Sequence, residues 1–151
     1  MADVRAYPTS RRVPDASREA LERWLPEEGI AYAHIRELGG RRRARPGSSA
    51  NAGWRSDAFR ACADHMRSDE FRGALERLEA ASRERPTAVM CAEGLWWRCH
   101  RRLISDALLV RGWDVRHILP DGELAEHELP EFALVEGGEL SYPPLQGTLE
   151  A

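Results

Sequence analysis

Residues 87–119, TAVMCAEGLWWRCHRRLISDALLVRGWDVRHIL, pass from an apolar run through a helical pattern to a second apolar run. TAVMCAE, 87–93, is short and rich in strand formers. From about Trp97 the apolar positions Leu103, Ile104, Ala107 and Leu108 recur at helical spacing until Gly112 stops the pattern, and WDVRHIL, 113–119, reads as the next strand. Strands that alternate with helices imply crossover units and a parallel sheet covered on both faces.

Working outward, Ala2–Arg5 reads as the end of a strand, followed by a loop containing Pro8, Ser10, Arg11 and Pro14. Asp15 or Ser17 is placed to cap a helix over about 17–27, with Leu21, Trp24 and Leu25 on one face and Gly29 just past its end. IAYAHI, 30–35, reads as a short strand, and 36–53 as a long basic loop. Two helices follow, over about 55–66 and 69–84, the second opened by Ser68 and closed before Pro86. The expected architecture is α/β and Rossmann-like: a single three-layer domain over 1–151, with a mostly parallel sheet of about four strands flanked by helices. Its core is 1–119. The acidic, turn-rich tail, 120–151, is expected to pack on that core, with room for a small hairpin.

Composition bounds the function. The chain has 151 residues, 42% hydrophobic and 31% charged, and no apolar run near the roughly 20 residues that span a bilayer. No long apolar leader follows Met1, and three cysteines are an odd count for a disulfide framework, so a cytoplasmic protein with free thiols is expected. The net charge of −3 hides a strong asymmetry: 1–67 carries 13 Arg against 9 acids, whereas 118–151 carries no base and 8 acids. All 22 basic side chains are arginine, which excludes a catalytic lysine.

In an open parallel sheet, ligands bind beyond the carboxyl ends of the strands, where loops lead into helix N-termini. Cys91–Arg102 falls there, and amides near Trp97–Cys99 are expected to favour an anion or thiolate. Cys91 is either a nucleophile of lowered pKa or a small buried hydrophobe. Glu93 is placed to act as acid/base or to pair with Arg98 or Arg101. Asp3 and Arg5 end another strand and should meet the same rim, with Ser10 and Arg11 from the next loop. Cys99 and the tryptophans Trp96 and Trp97 read more simply as packing. His34, His65, His117 and His127 have no partner legible in the sequence.

DVRAYPTSRR (3–12), GIAYAHIRELGGRR (29–42), SDEF (68–71) and above all MCAEGLWWRCHRRLISDAL (90–108), followed by GWDVRHI, resemble the family of unknown function DUF488. The resemblance implies a compact α/β fold and motif residues matching Asp3, Arg5, Pro8, Ser10, Gly39, Gly40, Cys91, Glu93, Cys99, His100 and Arg101. It also implies a further strand, a motif like Thr-Ile-Gly-His-Ser and a helix ahead of the Asp-Val-Arg strand, which this sequence does not carry. A sheet stripped of that strand would have an exposed edge open to homodimer formation. A looser analogy of shape links Asp3-Val4-Arg5 and Cys91 to rhodanese-like sulfurtransferases and related phosphatases.

The expected function is a small-molecule enzyme, a thiol- or acid/base-dependent transferase or hydrolase, that binds a phosphate- or carboxylate-bearing substrate. Cys91, Glu93 and His100 are the expected catalytic groups, and Asp3, Arg5, Ser10, Arg11 and Arg101 the expected substrate-binding ones. The spacing of Cys91, Cys99 and His100 is none of the usual zinc pairings, so no metal is expected, and no cofactor is named by any motif. The alternatives are a nucleic-acid module using the basic 36–60 stretch with Trp54, Trp96 and Trp97 as stacking platforms, and an interaction-only protein.

Overall fold

The computed structural model describes residues 1–47 and 49–145; Ser48 of the Pro-Gly-Ser-Ser run and 146–151 of the tail lie outside the described residues. A three-stranded parallel sheet is its centre. The first strand, β1 (Ala2–Asp3), lies between β2 (Ala33–His34) and β3 (Val89–Met90). Asp3 is in register with His34 on one side and Met90 on the other. The chain segments that leave β1, β2 and β3 therefore emerge at one rim: Val4 and Arg5, Ile35, and Cys91.

Helices α1 (Arg18–Glu27), α2 (Asp57–His65), α3 (Asp69–Glu84) and α4 (Arg101–Val110) connect and cover the sheet. Serine hydroxyls set three starts: Ser17, Ser56 and Ser68 accept from Ala20, Phe59 and Phe71 amides, each satisfying a donor the helix itself leaves free. The 3.6-residue stripe of α3 buries Phe71, Ala74, Leu75 and Leu78 against Ala2, Val4, Ile35, Leu38, Ile104 and Ala107. A second cluster gathers Trp54, Ala63, Leu103 and Tyr142. Trp24, expected on the inner face of α1, is 37% exposed; its indole N–H donates to the Asp15 carbonyl across the preceding turn.

Two expectations are corrected. The segment 113–119 supplies β4 (Arg116–Ile118), but it does not extend the parallel sheet as a fourth strand. It pairs antiparallel with β5 (Leu124–Glu126) of the tail, Arg116 opposite Glu126. The second correction concerns the start of α4. Trp96–Arg98 form a separate 3-10 turn, Cys99 is extended at φ −121°, ψ 151°, and α4 begins only at Arg101. The amides of Trp97–Cys99 are consequently not those of the α-helix. The hairpin foreseen in the tail is β6 (Leu134–Glu136) with β7 (Glu139–Ser141). Gly137 and Gly138, at φ 57° and 81°, make the two-residue turn, whose left-handed backbone glycine adopts without strain.

Candidate functional site

Asp3 and Arg5 form the fixed wall of the rim. Both are buried; Asp3 Oδ1 accepts from Arg5 Nε at 2.8 Å, Oδ2 accepts from Arg5 Nη2 at 2.6 Å, and the Tyr32 hydroxyl donates to Oδ2 at 2.7 Å. The remaining Nη1 of Arg5 donates to the Ala16 carbonyl at 2.8 Å, tying the loop before α1 to the sheet. Burial pushes the Asp3 carboxyl up, but the hydrogen bonds from Arg5 and Tyr32 outweigh it and its pKa is lowered.

Beside this wall lies a cleft of about 360 Å³. All three cysteines of the chain, Cys62 from α2, Cys91 from the end of β3 and Cys99 before α4, line it together with Arg5, Tyr7, Arg41, Glu93, Arg98 and His100. Of the residues singled out in the sequence, Arg5, Cys91, Glu93 and His100 are thus brought together. Asp3 lies behind them. Ser10 and Arg11 do not line the cleft; Ser10 instead accepts from the Val13 amide. Arg101 turns away as well, its Nη2 donating to the Glu93 carbonyl at 2.6 Å, which clamps the loop from Cys91 to the start of α4. Arg101 and Arg102 sit where the dipole of α4 disfavours cations. The loop carbonyl offsets this for Arg101, and the ring of Trp54, 5.0 Å from the Arg102 guanidinium carbon, does so for Arg102.

His100 is oriented from behind. Its Nε2 lies 3.2 Å from the Val4 carbonyl, which can only accept, so Nε2 carries a proton and donates. Nδ1 then faces the Cys99 sulfur at 3.4 Å. Gly40 makes this placement possible: a Cβ there would meet His100 Nδ1 at 2.8 Å. The Arg101 amide also donates to the Cys99 sulfur, at 3.4 Å.

Cys91 Sγ lies 3.6 Å from the Glu93 carbonyl and accepts from the Glu93 amide at 3.2 Å; across the shared cleft Cys91 and Cys99 ionise as a pair. The sequence left Cys91 as either a nucleophile of lowered pKa or a small buried hydrophobe; the shift at Cys91 is upward and the lowered sulfur is Cys99. The Cys91 thiol is pushed up, first by Cys99 and then by burial. The Cys99 thiol is pulled down to about 4 by Cys91, against burial, with help from His100 and the Arg101 amide. The Arg101 amide, the first free amide of α4, adds to this lowering without leading it. Cys62, also pushed up by burial, completes the lining as a neutral thiol.

A second, larger cleft of about 1040 Å³ adjoins the first and shares Ala6, Tyr7, Gly40 and Arg41 with it. Arg36, Arg41, Arg42, Arg43 and Arg45 line this basic groove. Arg41 stands at the junction with φ 60°, a left-handed conformation that costs a non-glycine residue about 1 kcal/mol, and its guanidinium lies over the exposed Tyr7 ring. The sequence showed the arginine run but not that its loop folds back against the Cys91 rim.

A buried polar network also went unforeseen. Asp106, fully buried on α4, accepts from the Tyr142 hydroxyl at 2.6 Å and from His127 Nε2 at 2.6 Å. His127 Nδ1 in turn lies 2.8 Å from His117 Nε2, and His117 stacks on Trp96 with ring centroids 3.8 Å apart. The only signal for it was a carboxylate within the apolar stripe of Leu103, Ile104 and Ala107.

Among the described residues no helix is long and apolar enough to cross a membrane, and no group of three or more His, Cys, Asp or Glu side chains is arranged to hold a metal ion. Comparison with curated proteins and with solved structures found no match. The family model of the domain of unknown function DUF488 matches residues 1–108, from β1 through most of α4, and the chain belongs to that family.

Proposed function

We propose that the cleft is the active site of a thiol-dependent enzyme acting on a small anionic substrate, with Cys91 as the nucleophile. One observation carries the reading: the chain's three thiols meet an oriented imidazole in a cleft that opens into an arginine-lined groove. The Cys91 thiol points at the Glu93 carbonyl at 3.6 Å, and Cys99, on the same lining, is backed by His100 Nδ1 and the Arg101 amide. As Cys91 attacks, its proton is taken up by the Cys99–His100 pair, and the Val4 carbonyl holds the imidazole in position. Glu93, exposed on the loop above, is within the same lining and serves as the acid/base group for the leaving atom.

Arg5 is committed to Asp3 and Ala16, so substrate charge falls to Arg41 and Arg98 on the thiol cleft and to Arg43 and Arg45 beyond it. Charge-assisted hydrogen bonds contribute about 1.5–3 kcal/mol each. Phosphate or sulfate is therefore expected to raise the melting temperature of the wild-type protein, and Arg41→Ala to raise the anion concentration needed for that effect at least about tenfold. Cys91→Ser and Glu93→Gln should melt near the wild type without added anion. An undiminished anion effect in Arg41→Ala, or loss of folding in Cys91→Ser, would count against the reading.

The basic groove also suits a nucleic-acid backbone. That second reading keeps the arginines but loses its stacking platforms. Trp54 is packed among Phe59, Phe132 and Tyr142, and Trp96 lies flat against His117, which leaves Trp97 as the exposed member at 44%. Oligonucleotide binding that falls steeply with salt would favour it.

A further inference from the structure

We infer that Cys91 and Cys99 interconvert between a dithiol and a disulfide, oxidised by a hydroperoxide and reduced by a small thiol, so that the nucleophile of the cleft is reversibly capped. The inference rests on the thiol reading above and adds its regulation. Three features of the structure support it.

The first is proximity: both sulfurs line the one cleft and each governs the other's ionisation, with Cys91 at the end of β3 and Cys99 just before α4. The second is the joining chain. Residues 91–95 form no helix or strand, and Cys99 itself is extended between the 3-10 turn and α4, so the backbone that must shift to close an S–S bond lies outside the α-helix and the sheet. The third is the electrostatics at Cys99. His100 Nδ1 and the Arg101 amide both face its sulfur, which is the setting that makes a thiol react with peroxides at neutral pH. Cys99 is buried and Cys91 half-buried, so a small oxidant entering the cleft finds the reactive sulfur with its resolving partner beside it.

The chemistry balances. The Cys99 thiolate attacks one oxygen of the hydroperoxide; the O–O bond breaks, the departing alkoxide or hydroxide takes up a proton, and Cys99 becomes a sulfenic acid. The Cys91 thiol then attacks that sulfur. An S–S bond forms, the S–O bond breaks, and the oxygen leaves as water with the Cys91 proton. Two electrons have passed from the sulfur pair to the peroxide. Two equivalents of a small thiol reverse the step and leave as their own disulfide.

Cys62 is the internal control. It lines the same cleft but belongs to α2, and burial pushes its thiol up, so it is the slowest of the three to react. The full-length reduced protein should be treated with hydrogen peroxide, blocked with an alkylating agent and digested with trypsin. Cleavage after Arg98 separates Cys91 from Cys99, so an internal disulfide holds two tryptic peptides together. The expected result is that linked pair, with alkylation of Cys91 and Cys99 reduced at least about tenfold, Cys62 still alkylated, and full reversal by dithiothreitol. Cys62→Ser should give the same link, and Cys91→Ser should leave a Cys99 sulfenic acid that dimedone traps. Full alkylation of Cys91 and Cys99 after peroxide, a link through Cys62, or direct passage of wild-type Cys99 to the sulfinic acid would overturn the inference. Anion stabilisation that survives any of those results would leave the enzyme reading intact, whereas a linked pair in a protein that ignores anions would sink only the choice of substrate.

Discussion

Asp106→Ala is expected to cost about 3–5 kcal/mol of folding stability, the largest loss for any single truncation outside the apolar core. The carboxylate is fully buried and holds two partners at 2.6 Å, the Tyr142 hydroxyl and the His127 imidazole. Removing it strands both inside the protein and leaves a void on α4. These are also contacts through which the acidic tail is held: Tyr142 follows β7, and His127 follows β5. At a few degrees per kcal/mol for a chain of this size, the melting temperature should fall by about 10 °C. Limited proteolysis should then cut first in the segment after β4. A variant that melts within about 2 °C of wild type would show that the network contributes little.

The same network sets an acid limit. Burial, then the neighbouring His127 and then Arg101 hold His117 down at about 4, and burial also lowers His65. An unfolded histidine takes up a proton near pH 6.5, so between about 6.5 and 4 the unfolded chain binds more protons than the folded one. Stability is fully present above that window and is lost as pH falls through it, by about 1–3 kcal/mol in total. Urea unfolding at pH 7 and pH 5 measures the loss, and His117→Gln should flatten it. An unchanged slope in that variant would assign the acid sensitivity elsewhere.

The elements that were legible in the sequence are those whose signals are local. Ser68 followed by Phe71, Ala74, Leu75 and Leu78 specifies α3 from its cap to its buried face, and Ser17 does the same for α1. The convergence of Arg5 with Cys91 was legible too, because parallel strands must share a rim. What could not be read locally is what depends on partners far along the chain. WDVRHIL has the composition of a strand, but its mate is set by β5, whose register brings His127 beside His117. The start of α4 carries no proline or glycine to mark it. Cys99 breaks the helical path while its sulfur takes the Arg101 amide and the His100 ring, a contact that depends on Gly40 some sixty residues away. Trp96 read as packing from the sequence, and Trp54 was offered as a stacking platform only for the alternative function; what the sequence did not show is which residues cover them, because Phe132, Tyr142 and His127 come later in the chain.

Asp3→Asn is expected to cost about 3–5 kcal/mol as well, and it decides whether Arg5 builds the rim or binds the substrate. The asparagine keeps the shape but leaves the Arg5 guanidinium without its counter-charge at a site only 6% exposed, and it replaces one acceptor of a bidentate contact with a donor. The Tyr32 hydroxyl faces the same mismatch. If Arg5 serves the fold alone, replacing both partners with apolar residues, Asp3→Leu with Arg5→Met, should recover much of the lost stability, since an ion pair buried at this depth gains little over a well-packed apolar pair. Phosphate should then stabilise the double variant as strongly as it does the wild type. If Arg5 also holds the substrate, the double variant should fold and yet respond to phosphate at least about tenfold more weakly. The structure favours the first outcome, because all three guanidinium nitrogens of Arg5 already have protein acceptors, whereas Arg41 and Arg98, which also line the cleft and come from other segments of the chain, have no ion-pair partner among the described residues.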